Sequence, residues 1–382
     1  MLEIPLSGIK RIEEIAKSSN EFVSLSQGAI RVGGIPQQIK DYVQTLMKSD
    51  VTDYYESCWG IKLLREKLAA TLSTQFKTDI AMNSVLPTHG CIGGLSLLYL
   101  SLLNSGDEVI VPEPAYPAYG ILTQASRSVP VFVSVLKPKS DGSLGYEFDI
   151  EKIKAATTPK TKIIIFSNPW NPLGIIVPQS TIRELLTWCE QRKIVLIVDE
   201  AYRDYAFTPD YQSVMPMVSQ SEWLVCANTF SKNMAMSGWR IGYLVVPQRI
   251  IKALVGMQDA LLNCLNNTAQ FAAIYALEHP ELTHHFHQIV RQNLDLAMMQ
   301  LQPLIDNKIV QTTRPDGGFF IFLKTDQPDA TDLGMSILNN AKVSLVPGSS
   351  FGPSGAPFLR LCFARDSEVL HEGISRLVKF FM

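Results

Sequence analysis

The sequence predicts an α/β protein, with a mainly parallel, doubly wound sheet in a large domain and a smaller α+β domain beside it. Three observations predict it. Short apolar runs alternate with longer helical patterns along most of the chain. Those runs are β-branched and scarcely alternate with polar residues, as in strands covered on both faces. The pattern then changes after about residue 280, where a polar helix leads into mixed short segments.

The strands read in order as Glu108–Val111, Val131–Val135, Lys162–Phe166, Ile194–Val198, Trp223–Ala227 and Gly242–Val246. Helical patterns separate them. In Thr181–Arg192, apolar Ile182, Leu185, Leu186 and Cys189 recur at helical spacing. A polar helix is predicted over Glu281–Leu301 and a last helix from Ser367. The domain division that follows is 46–280 for the large domain, with 1–45 and 281–382 forming the smaller one.

Lys plus Arg number 34 and Asp plus Glu 36, a net charge of −2 that gives no field for nucleic acid or an anionic membrane surface. The longest stretch without a formal charge, Ile80 to Gly106, is broken by Asn83, Pro87, His89 and several glycines, so it reads as buried protein and not as a membrane span. Charges interrupt every apolar stretch at the N-terminus, which therefore reads as no secretory signal. Six scattered cysteines form no CxxC pair and read as reduced thiols of a cytoplasmic protein.

Five segments carry candidate chemistry. Lys232 follows a predicted strand in a hydroxyl-rich turn, with Thr229 and Ser231 before it and Arg240 after it. A lysine near other cations has a depressed pKa and forms Schiff bases, and the hydroxyls with the guanidinium suit a phosphate-bearing aldehyde. Taken singly, it also reads as a surface lysine. Asp199 directly follows the IVLIV run, at the carboxyl end of a buried strand, where α/β sheets place ligands. It could hold a proton on a heterocyclic nitrogen or cap the next helix, and Tyr202 could reach the same ring. In NPWNPLG, two Asn-Pro units and Gly174 define a rigid turn that would fix the amide of Asn171.

The glycines of THGCIGGL open an apolar helix and leave free N–H groups at Cys91 and Ile92, a phosphate cradle. Tyr116, in a proline-stiffened loop, could stack on a flat ring or simply pack. Arg360, inside the apolar strand FLRLCF, must find an anion, either a protein acid or a substrate carboxylate. The cluster His284, His285 and His287 lacks a completing ligand at a convincing spacing and reads as a polar helix face, so no metal site is expected.

In this order, and above all in NPWNPLG, DEAY and SKNMAMSGWRIG, the segments resemble the class I/II aminotransferases, pyridoxal-phosphate enzymes of fold type I. The resemblance runs from SLSQG at Ser24–Gly28 to FLRLCFA. It implies a seven-stranded sheet and pyridoxal 5'-phosphate as cofactor. It implies that Lys232 holds the cofactor and moves the substrate proton, and that Asp199 pairs with the pyridinium nitrogen. Tyr202 and Asn171 would bond the phenolic oxygen, and Tyr116 would stack on the ring. The phosphate would lie on Cys91, Ile92, Thr229, Ser231 and Arg240, and Arg360 would grip the substrate carboxylate with Asn171 and the Gly28 backbone. Tyr55, in YESCWGIKLLRE, resembles a tyrosine that reaches the phosphate of the neighbouring subunit, which implies a homodimer.

Three positions depart from the family pattern. No proline follows Gly28, Leu173 replaces a threonine, and Ile92-Gly93 replaces polar residues. None removes a catalytic group. The implied activity is transfer of an amino group to a 2-oxo acid; a lyase or decarboxylase on the same fold is the alternative. Cys91 and Ile92 carry no charge, and Arg31 and His89 are the cations nearest by motif position. The expected donor is therefore a neutral, large or aromatic amino acid, because a pocket without a second cation rejects aspartate.

Overall fold

The β-branched runs form one seven-stranded sheet in a computed structural model that describes residue 4 and residues 6–138 and 145–382. Its strands are β1 (Val85–Thr88), β2 (Glu108–Glu113), β3 (Val129–Ser134), β4 (Thr161–Ser167), β5 (Val195–Asp199), β6 (Leu224–Thr229) and β7 (Gly242–Val245). They lie in the order β1-β7-β6-β5-β4-β2-β3. Only β7 runs antiparallel to its neighbours. β5 and β6 are buried at every position, which explains their unalternating sequences. Ser167 lies opposite Asp199, and Asp199 opposite Ala227. The carboxyl ends of β4, β5 and β6 are therefore level, and that edge is where an open α/β sheet receives its ligands.

Helices cover both faces. Those that bear on the site are α1 (Gly8–Ala16), α2 (Gln37–Leu46), α3 (Lys62–Phe76), α4 (Gly90–Leu102), α5 (Gln179–Arg192), α6 (Phe230–Asn233), α7 (Asn267–Glu278), α8 (His284–Asp306) and α9 (Ser367–Phe381). α5 buries Ile182, Leu185, Leu186 and Cys189, the stripe its spacing predicts. α8 starts later than expected because Pro280–Thr283 winds into a separate 3-10 turn, and it continues past Leu301, through Pro303, to Asp306. Among the described residues no helix is long and apolar enough to cross a membrane.

A second sheet of three antiparallel strands, in the order β8 (Phe320–Lys324), β10 (Phe358–Cys362), β9 (Val346–Pro347), has its own core. Phe319, Ile321, Leu361 and Phe363 meet Val290 and Leu294 of α8 and Ile374 of α9 there. Val23–Ser24 adds to this part by pairing in parallel with Val343–Ser344. The N-terminal 45 residues make contacts on both sides. α2 packs on α7, with Ile39 and Val43 in the core of the larger part and Tyr42 stacked 4.7 Å from Tyr275. Its apolar stripe finds a helix surface there that would otherwise be wet.

Candidate active site

At the level edge of the sheet lies a cavity of about 500 Å³. Its floor begins with Lys232, on the four-residue helix α6 that β6 runs into. Thr229 caps that helix, accepting the Ser231 N–H at 3.0 Å. The Lys232 ammonium donates to the Gly28 carbonyl at 2.5 Å and lies 5.7 Å from the Tyr202 ring centre. Burial pulls its pKa down to about 8 from an ordinary 10.5.

Asp199 ends β5. It accepts the Tyr119 hydroxyl at 2.9 Å and the Ala201 N–H at 3.0 Å. Burial raises its pKa, while the tyrosine and backbone donors oppose the rise. A carboxylate in this position is arranged to receive a cationic N–H. Tyr116 stands edge-on to Tyr119, with ring centres 5.6 Å apart.

The turn after β4 holds Asn171. Its N–H donates to Ser167 Oγ at 3.0 Å, and its amide nitrogen lies 3.5 Å from the Tyr202 hydroxyl. Gly174 closes that turn at φ +72°, where a Cβ would stand 2.8 Å from Pro315. The side-chain Oδ1 of Asn171 accepts from Nη1 of Arg360 at 3.0 Å, and Arg360 Nη2 donates to the Ser26 main-chain carbonyl at 2.6 Å. The guanidinium lies 4.2 Å from the Phe320 ring centre and 4.8 Å from that of Phe351. Its Nε is buried without a partner. Burial lowers its pKa to about 10, so it remains a cation at neutral pH. A buried cation that lines a cavity suits an incoming carboxylate.

The other end of the cavity suits a phosphate. α4 opens at Gly90 without a side-chain cap, so the first-turn N–H groups, those of Cys91 and Ile92 among them, have no side-chain partner. Arg240 stands beside them. A Cβ on Gly90 (φ +70°) would lie 2.5 Å from Arg240 Nη2, and one on Gly242 would lie 2.8 Å from the Cys91 nitrogen. The cradle exists because both positions are glycine. Between the two ends, Lys232, Asp199, Tyr202 and Tyr116 surround space for a flat ring. The residues present thus fit a phosphorylated pyridine aldehyde.

The cavity gathers Gly28, Cys91, Ile92, Tyr116, Asn171, Asp199, Tyr202, Thr229, Ser231, Lys232, Arg240 and Arg360 from segments far apart in the chain. Tyr55 is not among them. It is 83% exposed and lines an outer groove with Tyr54, Leu265 and Asn266. Arg31 does not reach the cavity either: it donates to Glu13 at 3.0 Å and to Gln27 at 2.7 Å. Glu13 is buried and also accepts the Ser24 and Ser26 hydroxyls. His89 precedes α4, and burial, then Arg240, lowers its pKa.

Sequence reasoning missed Tyr119 and the rim residues Ser7 and Lys10 of the N-terminal segment. Tyr119 lies three residues after Tyr116 at the start of a helix, so both could have been read as facing one way. Nothing near Ser7 or Lys10 in sequence marks them.

A family model described as aminotransferase class I and II matches residues 20–377. The aspartate aminotransferase of Thermotoga maritima is 28% identical over 383 residues, covering 99% of this chain and 97% of that protein. A probable aspartate/prephenate aminotransferase of Aquifex aeolicus is 31% identical, covering 90% of this chain and 87% of its own. Among solved structures, the aspartate aminotransferase of Thermotoga maritima superposes with a TM-score of 0.89 at 27% identity, covering 99% of this chain and 98% of the other.

Proposed function

The chain belongs to the class I and II aminotransferases, pyridoxal-phosphate-dependent transaminases, and from that premise we propose that its cavity holds pyridoxal 5'-phosphate on Lys232 and transfers the amino group of a neutral, large or aromatic L-amino acid to a 2-oxo acid. The observation that carries this reading is the meeting of Lys232, Asp199 and Arg360 in one cavity.

The cofactor, when bound, supplies the electron sink that stabilises charge developing at the substrate Cα. The chain's residues do the rest. Arg360 binds the α-carboxylate and fixes which bond at Cα faces Lys232. Lys232 Nζ takes the Cα proton and later returns it, and its lowered pKa of about 8 suits both tasks near neutral pH. Asp199 keeps the ring nitrogen protonated, with Tyr119 holding the carboxylate in place. Tyr202 and Asn171, whose polar groups lie 3.5 Å apart, would hydrogen-bond the phenolic oxygen. Cys91 and Ile92 N–H, Thr229, Ser231 and Arg240 anchor the phosphate.

Substrate choice follows from the cations. In the buried wall these are Lys232, Arg240 and Arg360, and each already has a role. Arg31 is occupied by Glu13. A second reading, aspartate as donor, is favoured by Lys10, which stands exposed on the rim where solvent screens it. Tyr55 acts across a homodimer interface, completing the partner's phosphate site. Six free cysteines suit a cytoplasmic setting.

The test is to supply 2-oxoglutarate with phenylalanine, tyrosine or aspartate and to measure glutamate, ammonia and CO2. Glutamate without ammonia or CO2, with an aromatic donor best by kcat/KM, supports the reading. Ammonia or CO2 as the main product sinks it. Aspartate as best donor, with the preference lost in Lys10→Met, moves the assignment to the second reading.

A further inference from the structure

Tyr205 lies outside the cavity lining but touches the part of Lys232 that the chemistry does not consume. It is 1% exposed, and its hydroxyl donates to the Lys232 carbonyl at 2.9 Å. α6 has only four residues, so its last carbonyls have no helical partners and need an outside donor. Burial holds the phenol well above its ordinary pKa, so it remains a donor at every working pH.

The ring itself is held from the smaller domain. His287 of α8 meets it edge-on at 5.2 Å, and Phe319 does so at 5.6 Å. The Tyr205 carbonyl accepts the Gly318 N–H at 2.9 Å. Phe319 packs on Phe320, whose ring centre lies 4.2 Å from the Arg360 guanidinium. One buried side chain thus connects the main chain of the lysine, through Phe319 and then Phe320 of the neighbouring strand, to the arginine of the carboxylate grip. We infer that Tyr205 is a positioning residue, its hydroxyl fixing Lys232 in register with Arg360.

The inference rests on the reading of Lys232 as the cofactor-bearing lysine. A displaced lysine meets Cα at the wrong distance, which slows the proton step without weakening substrate binding.

The holoenzyme of Tyr205→Phe tests it, since this change keeps the ring and removes only the hydroxyl. The expected result is a kcat about tenfold lower with the amino-donor KM within about twofold. The pH at which the visible band of the bound cofactor changes should move by about half a unit, because the nitrogen no longer sits in the same burial. Wild-type kcat and an unmoved transition would overturn the inference. So would a lower melting temperature with kcat and KM worsening together and the transition unmoved. His287→Gln loosens the ring and keeps the hydroxyl, and should lower kcat less than about threefold. A loss equal to that of Tyr205→Phe would assign the effect to packing and overturn the inference. A visible band that survives in Lys232→Ala would instead remove the reading of Lys232 itself.

Discussion

Replacing Arg360 with glutamine isolates the carboxylate grip. In the structure the guanidinium is buried, donates to Asn171 and Ser26, and keeps Nε unpartnered. A carboxylate bound there gains charge-assisted hydrogen bonds worth about 1.5–3 kcal/mol each. Two such bonds amount to about 3–6 kcal/mol, or roughly 10²- to 10⁴-fold in kcat/KM. The assay is the first half-reaction in single turnover, followed by the absorbance of the bound cofactor. Phenylalanine is compared with phenethylamine, which lacks the carboxylate. Arg360→Gln should lose the full factor with the amino acid and little with the amine. Arg360→Lys keeps a charge but not the fork, and should fall between the two. Equal losses for acid and amine, or a loss under tenfold with the acid, would refute the assignment.

Other predictions use the same cavity. Burial lowers the Lys232 pKa from 10.5 to about 8, so between those values the unfolded chain binds more protons than the folded one. The stability of the cofactor-free protein should therefore gain a rising contribution from about pH 8 to 10.5. Thermal melts of Lys232→Met should lack that rise, and identical pH profiles would contradict the buried amine. Tyr119→Phe removes a donor from Asp199 and should weaken cofactor retention about fivefold, for a hydrogen bond worth about 1 kcal/mol. An unchanged dissociation constant would take Tyr119 out of the network. Mixed dimers of Tyr55→Ala and Arg360→Ala subunits should recover activity from one intact site, and no recovery would argue against sharing across subunits.

Where a residue's surroundings come from its own strand or turn, the sequence was readable. Asp199 and Lys232 follow buried apolar runs, and their end-of-strand positions follow directly. Arg360 stood out because one charge in an apolar strand has to be satisfied. β1 was missed because it is only four residues long and contains Pro87. Strand pairing rescues it, since β7 lies against it in antiparallel register. That α2 packs on α7 was not legible, because an amphipathic stripe shows that a face is covered and not by what. The capture of Arg31 was hidden for a similar reason. Glu13 sits in a helix whose composition suggests a wet glutamate, and the groups that bury it arrive from Ser24, Ser26 and Arg31.

The carbonyls of the Ser24–Ala29 segment bear on how the protein is made. Arg360 takes that of Ser26, Arg365 takes those of Ser24, Gln27 and Ala29, and Lys232 takes that of Gly28. The arginine bonds at Ser26 and Ser24 join residues 334 and 341 positions apart. A nascent chain emerges at about 5–20 residues per second, so this segment waits tens of seconds outside the ribosome for its partners. A polypeptide interrupted before β10 has made nearly all residues of the proposed cofactor cradle, but of the proposed carboxylate grip it has Asn171 and Gly28 without Arg360. The arginine of the substrate half is therefore born last, and because β10 is the buried central strand of the second sheet, a truncation that removes it should cost the smaller domain its core together with Arg360.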